Sequence, residues 1–300
     1  MESKILSRRA VLGGLAASPF LWSCVASAAH DSLLVVSDGT FTLPVASLSR
    51  GRDVADIRDA LIRAGQSIDE ARTYLNISVL KRGDDILLFD CGAGQNFVPG
   101  AGHLMEALSA AQIKPEQVKH VLFTHAHPDH LWGALDDFNA PAFPNAQFHL
   151  SQSEYDFWHS KDIFTQLPED RQSFAAGAQR ILKELTPVLK LFKPGAEIVS
   201  GILSTPTPGH TPGHVSYEVK VGSEIVTVIG DALTHPILSF EYPDWAGGFD
   251  HDGTRAGTTR KSLLDRLAAE KRKLIAYHLP NQGQGRVEKV GTGYRFVAGN

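Results

Sequence analysis

Cysteine is nearly missing from this chain. Only Cys24 and Cys91 occur in 300 residues, and Cys24 lies in a segment argued below to be removed. One remaining thiol cannot close an intrachain disulfide, so the mature protein relies on its core and on any bound ions. A run of basic residues is missing too, as is a basic stripe interleaved with aromatics. With a formal charge of −4, the chain carries no footprint for nucleic acid. Its longest apolar stretch, Val11 to Val25, contains Pro19 and is short for a bilayer span. What remains is ordinary globular composition, 43% hydrophobic and 21% charged, enough for one large domain or two small ones.

The N-terminus reads as an export signal. Ser7-Arg8-Arg9-Ala10-Val11-Leu12 has the twin-arginine form, the apolar stretch follows, and Ala26-Ser27-Ala28 supplies a small-x-small cleavage pattern. Residues 1–28 are therefore expected to be a twin-arginine-type signal peptide. The mature protein is expected in the periplasm or outside the cell, with no stable membrane insertion after cleavage. Lipidation at Cys24 is the alternative, although Leu21-Trp22-Ser23-Cys24 is a poor lipobox because Trp is bulky.

The densest chemistry lies at Thr124 to His130, which reads T-H-A-H-P-D-H. His125 and His127 are two apart, so on an extended segment both imidazoles face one point. Asp129 and His130 follow past Pro128 and can face a second point. The apolar run His120 to Phe123 precedes them as a strand, and Leu131 to Leu135 can begin a helix. Three His and one Asp in six positions are hard to explain by packing and point to a metal or catalytic site.

Three more candidates arrive from elsewhere. Thr207-Pro208-Gly209-His210-Thr211-Pro212-Gly213-His214 is a loop stiffened by two Pro and two Gly after the short strand Ile202–Thr205. The strand pair Val215–Val221 and Glu224–Ile229 ends at Gly230-Asp231. The strand Leu274–Tyr277 ends at His278. Four β-rich runs thus each deliver a metal-type ligand at a comparable end, as at one edge of a layered α/β sheet.

The remaining segments set the frame. Leu33–Val36 and Gly39–Leu43 read as two strands, and Asn76–Lys81 with Ile86–Asp90 as a hairpin. Arg50–Asp69 is polar, with helical character at Val54–Arg63, and reads as a mobile arm or an interface element. Gly102–Gln112 and Gly257–Glu270 read as helices. Ser151 with Glu154 has the capping-box pattern. Residues near 151–191 read as a helical insertion over one edge, and Gly285–Val297 as a closing hairpin. Asp90, at a strand end before a Gly-rich turn, is either a brace for neighbouring loops or a plain turn residue. Cys91 reads as structural.

In this order, H-x-H-x-D-H, G-H-T-P-G-H, G-D and a strand-end His resemble the metallo-β-lactamase fold superfamily over most of the mature chain. The resemblance implies an α/β fold, a four-layer αββα sandwich, formed as a single domain by residues 29–300. It implies His125, His127 and His210 as ligands of a first metal and Asp129, His130 and His278 as ligands of a second. Asp231 is the carboxylate between them, and His214 supports the loop. The expected cofactors are two divalent ions, zinc first, with iron, manganese or cobalt compatible with an all-His/Asp set.

Phe143-Pro144-Asn145-Ala146, Glu154-Tyr155-Asp156-Phe157-Trp158 and Gly293-Tyr294-Arg295-Phe296-Val297 are similar to the branch containing methyl parathion hydrolase and its lactonase-like relatives. That similarity implies Phe97 and Trp158 as pocket aromatics, a small-molecule substrate and a homodimer. Thr234 stands where acyl-homoserine-lactone hydrolases of the fold often carry Tyr. The implied activity is hydrolysis of a small ester, lactone or organophosphate triester, with Asp129 and Asp231 as catalytic carboxylates. The alternatives are a β-lactam hydrolase and a metal-bound binding protein without turnover.

Overall fold

The computed structural model describes residues 31–299. The export-signal expectation for residues 1–28, and the lipidation alternative at Cys24, lie outside the described residues. No helix among them is long and apolar enough to cross a membrane.

Two sheets face one another. The first has the order β1 (Ser32–Pro44), β2 (Glu70–Arg82), β3 (Asp85–Phe89), β4 (Val118–Leu122), β5 (Gln147–Ser151), β6 (Leu189–Phe192). Its first three strands are antiparallel, and β3 to β6 run parallel. The second runs in space from β13 (Gly293–Ala298) through β12 (Gln284–Val290), β11 (Lys273–Ile275), β10 (Glu224–Val228) and β9 (Val215–Val221) to β8 (Ile202–Pro206) and β7 (Glu197–Val199). Only β10 and β11 are parallel there.

Leu80, Leu87, Phe89 and Leu122 of the first sheet bury against Ile202, Val215, Tyr217 and Val219 of the second. The outer face of the first sheet is covered by α2 (Leu104–Ala110), α4 (Gln152–Trp158) and α6 (Gln172–Leu185), through Leu104, Leu108, Trp158, Ile181 and Leu185. The second sheet is covered by α8 (Gly253–Glu270) through Leu263, Leu264 and Leu267. Four layers result, the αββα sandwich that the resemblance implied, with sheet strands buried on both faces as parallel pairing requires.

Several expectations need correction. The two strands expected at the start are one, β1, with a bulge between Ser37 and Gly39. The bulge turns Asp38 inward, where its carboxylate accepts the backbone N–H groups of Ala93 and Leu104 at 2.8 Å each. A Cβ at Gly39 would meet Gly100 O at 2.0 Å, so only Gly fits there. Val54–Arg63 is α1, docked on Val45 and Leu238 through Ile57, Ala60 and Leu61 rather than a free arm. The 151–191 segment supplies α4, α5 (Ile163–Gln166) and α6, but also β6, an edge strand of the first sheet.

Candidate metal centre

β4 ends one turn before the histidines. Phe123 N donates to His149 O (2.9 Å) and Val215 N donates to Thr124 O (3.0 Å), so the strand end is stitched to both sheets. His127 is extended, and Pro128 opens the one-turn helix α3 (Pro128–Leu131). That switch from strand to helix turns Asp129 and His130 toward the cluster beside His125 and His127.

Three groups of ligand-type atoms result, each within 4.8 Å of one another: His125, His127 and His210; Asp129, His130 and His278; and His125, His130 and Asp231. His127 Nδ1 lies 3.0 Å from both His125 Nε2 and His210 Nε2. Asp231 sits between the first two groups. Its Oδ2 is 3.3 Å from His210 Nε2 and 3.0 Å from His278 Nε2, and its Oδ1 is 3.3 Å from His130 Nε2. Asp129 Oδ2 faces His278 Nε2 at 3.4 Å and His130 Nε2 at 3.7 Å. All seven side chains are buried.

Each of the five imidazoles gives one nitrogen to the cluster and has its other nitrogen held. Thr124 Oγ1 holds His125 Nδ1 (3.0 Å), His251 Nε2 holds His127 Nε2 (3.2 Å), and Asp90 Oδ2 holds His130 Nδ1 (2.9 Å). Asp250 Oδ1 holds His210 Nδ1 (3.2 Å), and His278 Nδ1 donates to Tyr74 O (2.8 Å). Such outer contacts fix tautomer and ring angle in metal sites.

Asp90 proves to be a brace. It has φ +64°, and it also accepts Thr124 N at 2.7 Å and Thr124 Oγ1 at 2.9 Å. His214 supports the loop as expected: its Nε2 accepts Asp231 N (3.0 Å) and its Nδ1 meets Thr207 Oγ1 (2.8 Å). Burial pushes the His214 imidazole down to about 3, so it stays neutral.

The electrostatics suit cations. Burial, reinforced by neighbouring imidazoles, holds His125 and His127 well below the usual range, leaving lone pairs to give. Burial would do the same to His130 and His278, but nearby carboxylates, Asp231 foremost, outweigh it and push both up. Burial would also raise Asp231, yet His278 and His130 hold it well below the carboxylate range. The carboxylates thus draw positive charge into a dry site. His130 Nε2 and Asp231 Oδ1 are buried with no hydrogen-bond partner. These two buried atoms, 3.3 Å apart without a directed hydrogen bond and set amid imidazoles and carboxylates, fit divalent ions with nitrogen and oxygen ligands.

Glu154 was legible only as half of a capping box. Ser151 Oγ does accept Glu154 N (3.2 Å), but the carboxylate does not return to the helix start. It accepts Ala126 N (3.0 Å), Trp158 Nε1 (2.7 Å), Thr211 Oγ1 (2.6 Å) and Gly213 N (3.1 Å). It therefore clamps the His125–His127 segment to the His210 loop. Asp250 and His251 were missed altogether, because their loop stands out in the sequence by its aromatics. The signal available was the D-H-D triplet at Asp250 to Asp252.

A cavity of about 590 Å³ opens over the cluster. Asp129, Asp231 and His278 lie on its floor, and Phe41, Leu43, Phe97, Phe174 and Phe249 on its walls. Phe97 stands there as expected, with its ring against Phe41 and Phe174 at 6.1 and 6.4 Å between centroids. Trp158 does not. It is fully buried, hydrogen-bonded to Glu154, and packs edge-on behind His127 at 5.7 Å, so it is a backing residue and not a substrate wall. The aromatics between Asp231 and α8 differ in placement. Phe249 lines the cavity, Phe240 is core against Phe296, and Tyr242 stacks on Trp245 beside α1.

Comparison with known proteins agrees with this geometry. The family model described as Metallo-beta-lactamase superfamily matches residues 72–278. N-acyl homoserine lactonase AttM of Agrobacterium fabrum is 33% identical over 126 residues, 39% of this chain and 41% of AttM. The uncharacterized protein YobT of Bacillus subtilis is 34% identical over 117 residues, 39% of this chain and 46% of YobT. The match thus spans less than half the length of these two curated relatives. Two solved structures are similar over nearly their whole length. AidC, a dizinc quorum-quenching lactonase in complex with a product, has a TM-score of 0.85 at 27% identity, over 90% of this chain and 95% of AidC. The hydrolase AbOPH of the beta lactamase superfamily has a TM-score of 0.82 at 28% identity, over 91% and 96%.

Proposed function

The chain belongs to the metallo-beta-lactamase superfamily, and from that premise we propose that this metal-dependent hydrolase opens small lactones, with simple esters and organophosphate triesters as secondary substrates. The observation that carries the reading is the doubly held histidine set around Asp231, beneath an apolar cavity. The relatives AttM and AidC bear the name lactonase, which supports the choice of substrate class.

His125, His127 and His210 would hold one ion, and Asp129, His130 and His278 the other, with Asp231 shared. Zinc suits the donor set best. When bound, two such ions would supply a nucleophile of hydroxide strength at neutral pH and polarise the scissile carbonyl or phosphoryl oxygen. The chain's own residues do the rest. Phe41, Leu43, Phe97, Phe174 and Phe249 take the apolar part of the substrate out of water. Asp129, on the cavity floor with Tyr277 Oη donating to its backbone oxygen at 2.6 Å, carries a proton to the departing oxygen. Asp231 would balance the charge of both ions. Glu154, Asp90 and Asp250 keep the imidazoles aimed.

A panel of γ-lactones, aryl esters, a paraoxon-type triester and a chromogenic cephalosporin, run with and without chelator, tests the reading. Chelator-sensitive turnover should be fastest on lactones. Turnover confined to the cephalosporin would establish a β-lactam hydrolase instead, and metal binding without any turnover a binding protein. We further propose twin-arginine export of the mature enzyme to the periplasm or beyond, tested by fractionation after Arg8 and Arg9 are both changed to Lys. A homodimer is proposed as well, tested by light scattering.

A further inference from the structure

His235 follows Asp231 by four residues and lines the same cavity. Its Nδ1 accepts two backbone N–H groups, those of Ile237 and Leu238, at 3.2 Å each. These open α7 (Leu238–Glu241). A ring nitrogen that accepts N–H donors bears no proton, so in the neutral imidazole the proton is on Nε2. The backbone on either side is pinned, because Thr234 N and His235 N both donate to Ser239 Oγ at 3.1 Å. Rotating the ring would therefore forfeit two hydrogen bonds. Burial also pushes the imidazole down to about 4, which keeps it neutral.

Among the described residues none bonds His235 Nε2, and that atom is not sealed in the core. Phe41, Leu43, Phe97, Phe174 and Phe249, which share the cavity with it, cannot accept a hydrogen bond. An N–H of fixed direction therefore lines the largely apolar cavity that also holds the candidate metal ligands. The site needs no such donor for its own integrity, since each imidazole of the cluster already has its outer partner.

We propose that His235 is a substrate-orienting residue whose Nε2–H donates a hydrogen bond to an acceptor oxygen set back from the scissile bond, such as the amide oxygen of an acylamino lactone. This rests on the lactonase reading above and assigns that site its specificity. An acceptor held at a fixed offset selects substrates bearing a second carbonyl over plain alkyl lactones of equal length, because a burial-matched donor left unpaired is costly.

The test compares wild type, His235→Asn and His235→Gln on N-hexanoyl-L-homoserine lactone and on an alkyl γ-lactone of similar length, with metal content and Tm measured in each preparation. Asn places an amide oxygen where Nδ1 was and keeps the helix cap, but removes the Nε2 donor. Gln returns an N–H near the Nε2 position. His235→Asn should lower kcat/KM about tenfold on the amide-bearing lactone, chiefly through KM, the loss expected for one unmade hydrogen bond. The alkyl lactone should change little, and His235→Gln should recover most of the difference. The readout is a ratio between two substrates in one preparation, so partial unfolding cancels. An unchanged ratio in His235→Asn, with wild type active, overturns this inference alone. A wild type that opens neither lactone overturns the lactonase reading and this inference with it.

Discussion

β4 carries one histidine at its middle and leads into a cluster of them past its end, and the two groups differ in kind. Past its C-terminal end, His125 joins four other imidazoles and two carboxylates. At its middle, His120 Nδ1 meets His149 Nε2 of β5, at 3.0 Å. Burial lowers both members of the pair, and Lys190 adds to it. No third ligand-type group joins the pair among the described residues. The difference shows that imidazoles at short range do not make a metal site. What distinguishes the cluster is a set of carboxylates that draws positive charge, together with an outer partner for each ring.

Removing the shared carboxylate breaks that distinction most severely. Asp231→Asn should strip His130, His210 and His278 of the carboxylate they share. Stripping one partner from a buried charged set costs about 3–5 kcal/mol, roughly a thousandfold in metal affinity. Metal analysis and turnover should fall together. A variant that retains both ions and full activity would show that Asp231 is only a neighbour. Chelation of the wild type should likewise lower Tm, since an ion that binds only the folded state stabilises it.

Glu154→Gln should have a smaller effect and reach the cluster only through the backbone. Gln has one acceptor oxygen where the carboxylate had two, and its NH2 must face Thr211 Oγ1 and Gly213 N, or else Ala126 N and Trp158 Nε1. A loss of about 10–100-fold in metal affinity is expected for such an outer-shell change. Competition with a chromophoric chelator measures it. The same affinity in the variant would mean that the two ligand loops hold their positions without the clamp.

These effects also mark how far the sequence could be read. The seven cluster residues stand at strand ends or within one turn, so local pattern and spacing marked them, whereas the layer order of the fold came from the family resemblance. Glu154 was opaque because its acceptor oxygens serve donors 28, 57 and 59 residues away, besides Trp158 on its own helix. Its local pattern pointed instead to a cap. Trp158 was misassigned for the same reason: nothing in the sequence tells an aromatic behind a ligand from one in front of it. The bulge at Asp38 is set by the close approach of Gly100 to Gly39, which no local pattern encodes. His235 was passed over because its significance lies in a tautomer, and a tautomer is set by the backbone around it.

The smallest effect comes from the lone pair on β4 and β5. His149 is buried and pushed down to about 4, against about 6.5 in an unfolded chain. With the folded value lowered, the unfolded state takes up its proton first. Stability linked to this group is complete above about pH 6.5 and is lost as pH falls toward 4. His149→Phe keeps a ring of similar size and removes that linkage, and half-buried His120 turns to water. In the chelated protein, stability should therefore fall less in the variant between pH 7 and pH 4.5, by about 1–2 kcal/mol, measured by urea unfolding at each pH. Bound metal and turnover at pH 7 should match the wild type. Loss of metal would mean that the pair and the cluster are coupled through β4, and an unchanged pH slope would mean that the pair is not held neutral by burial.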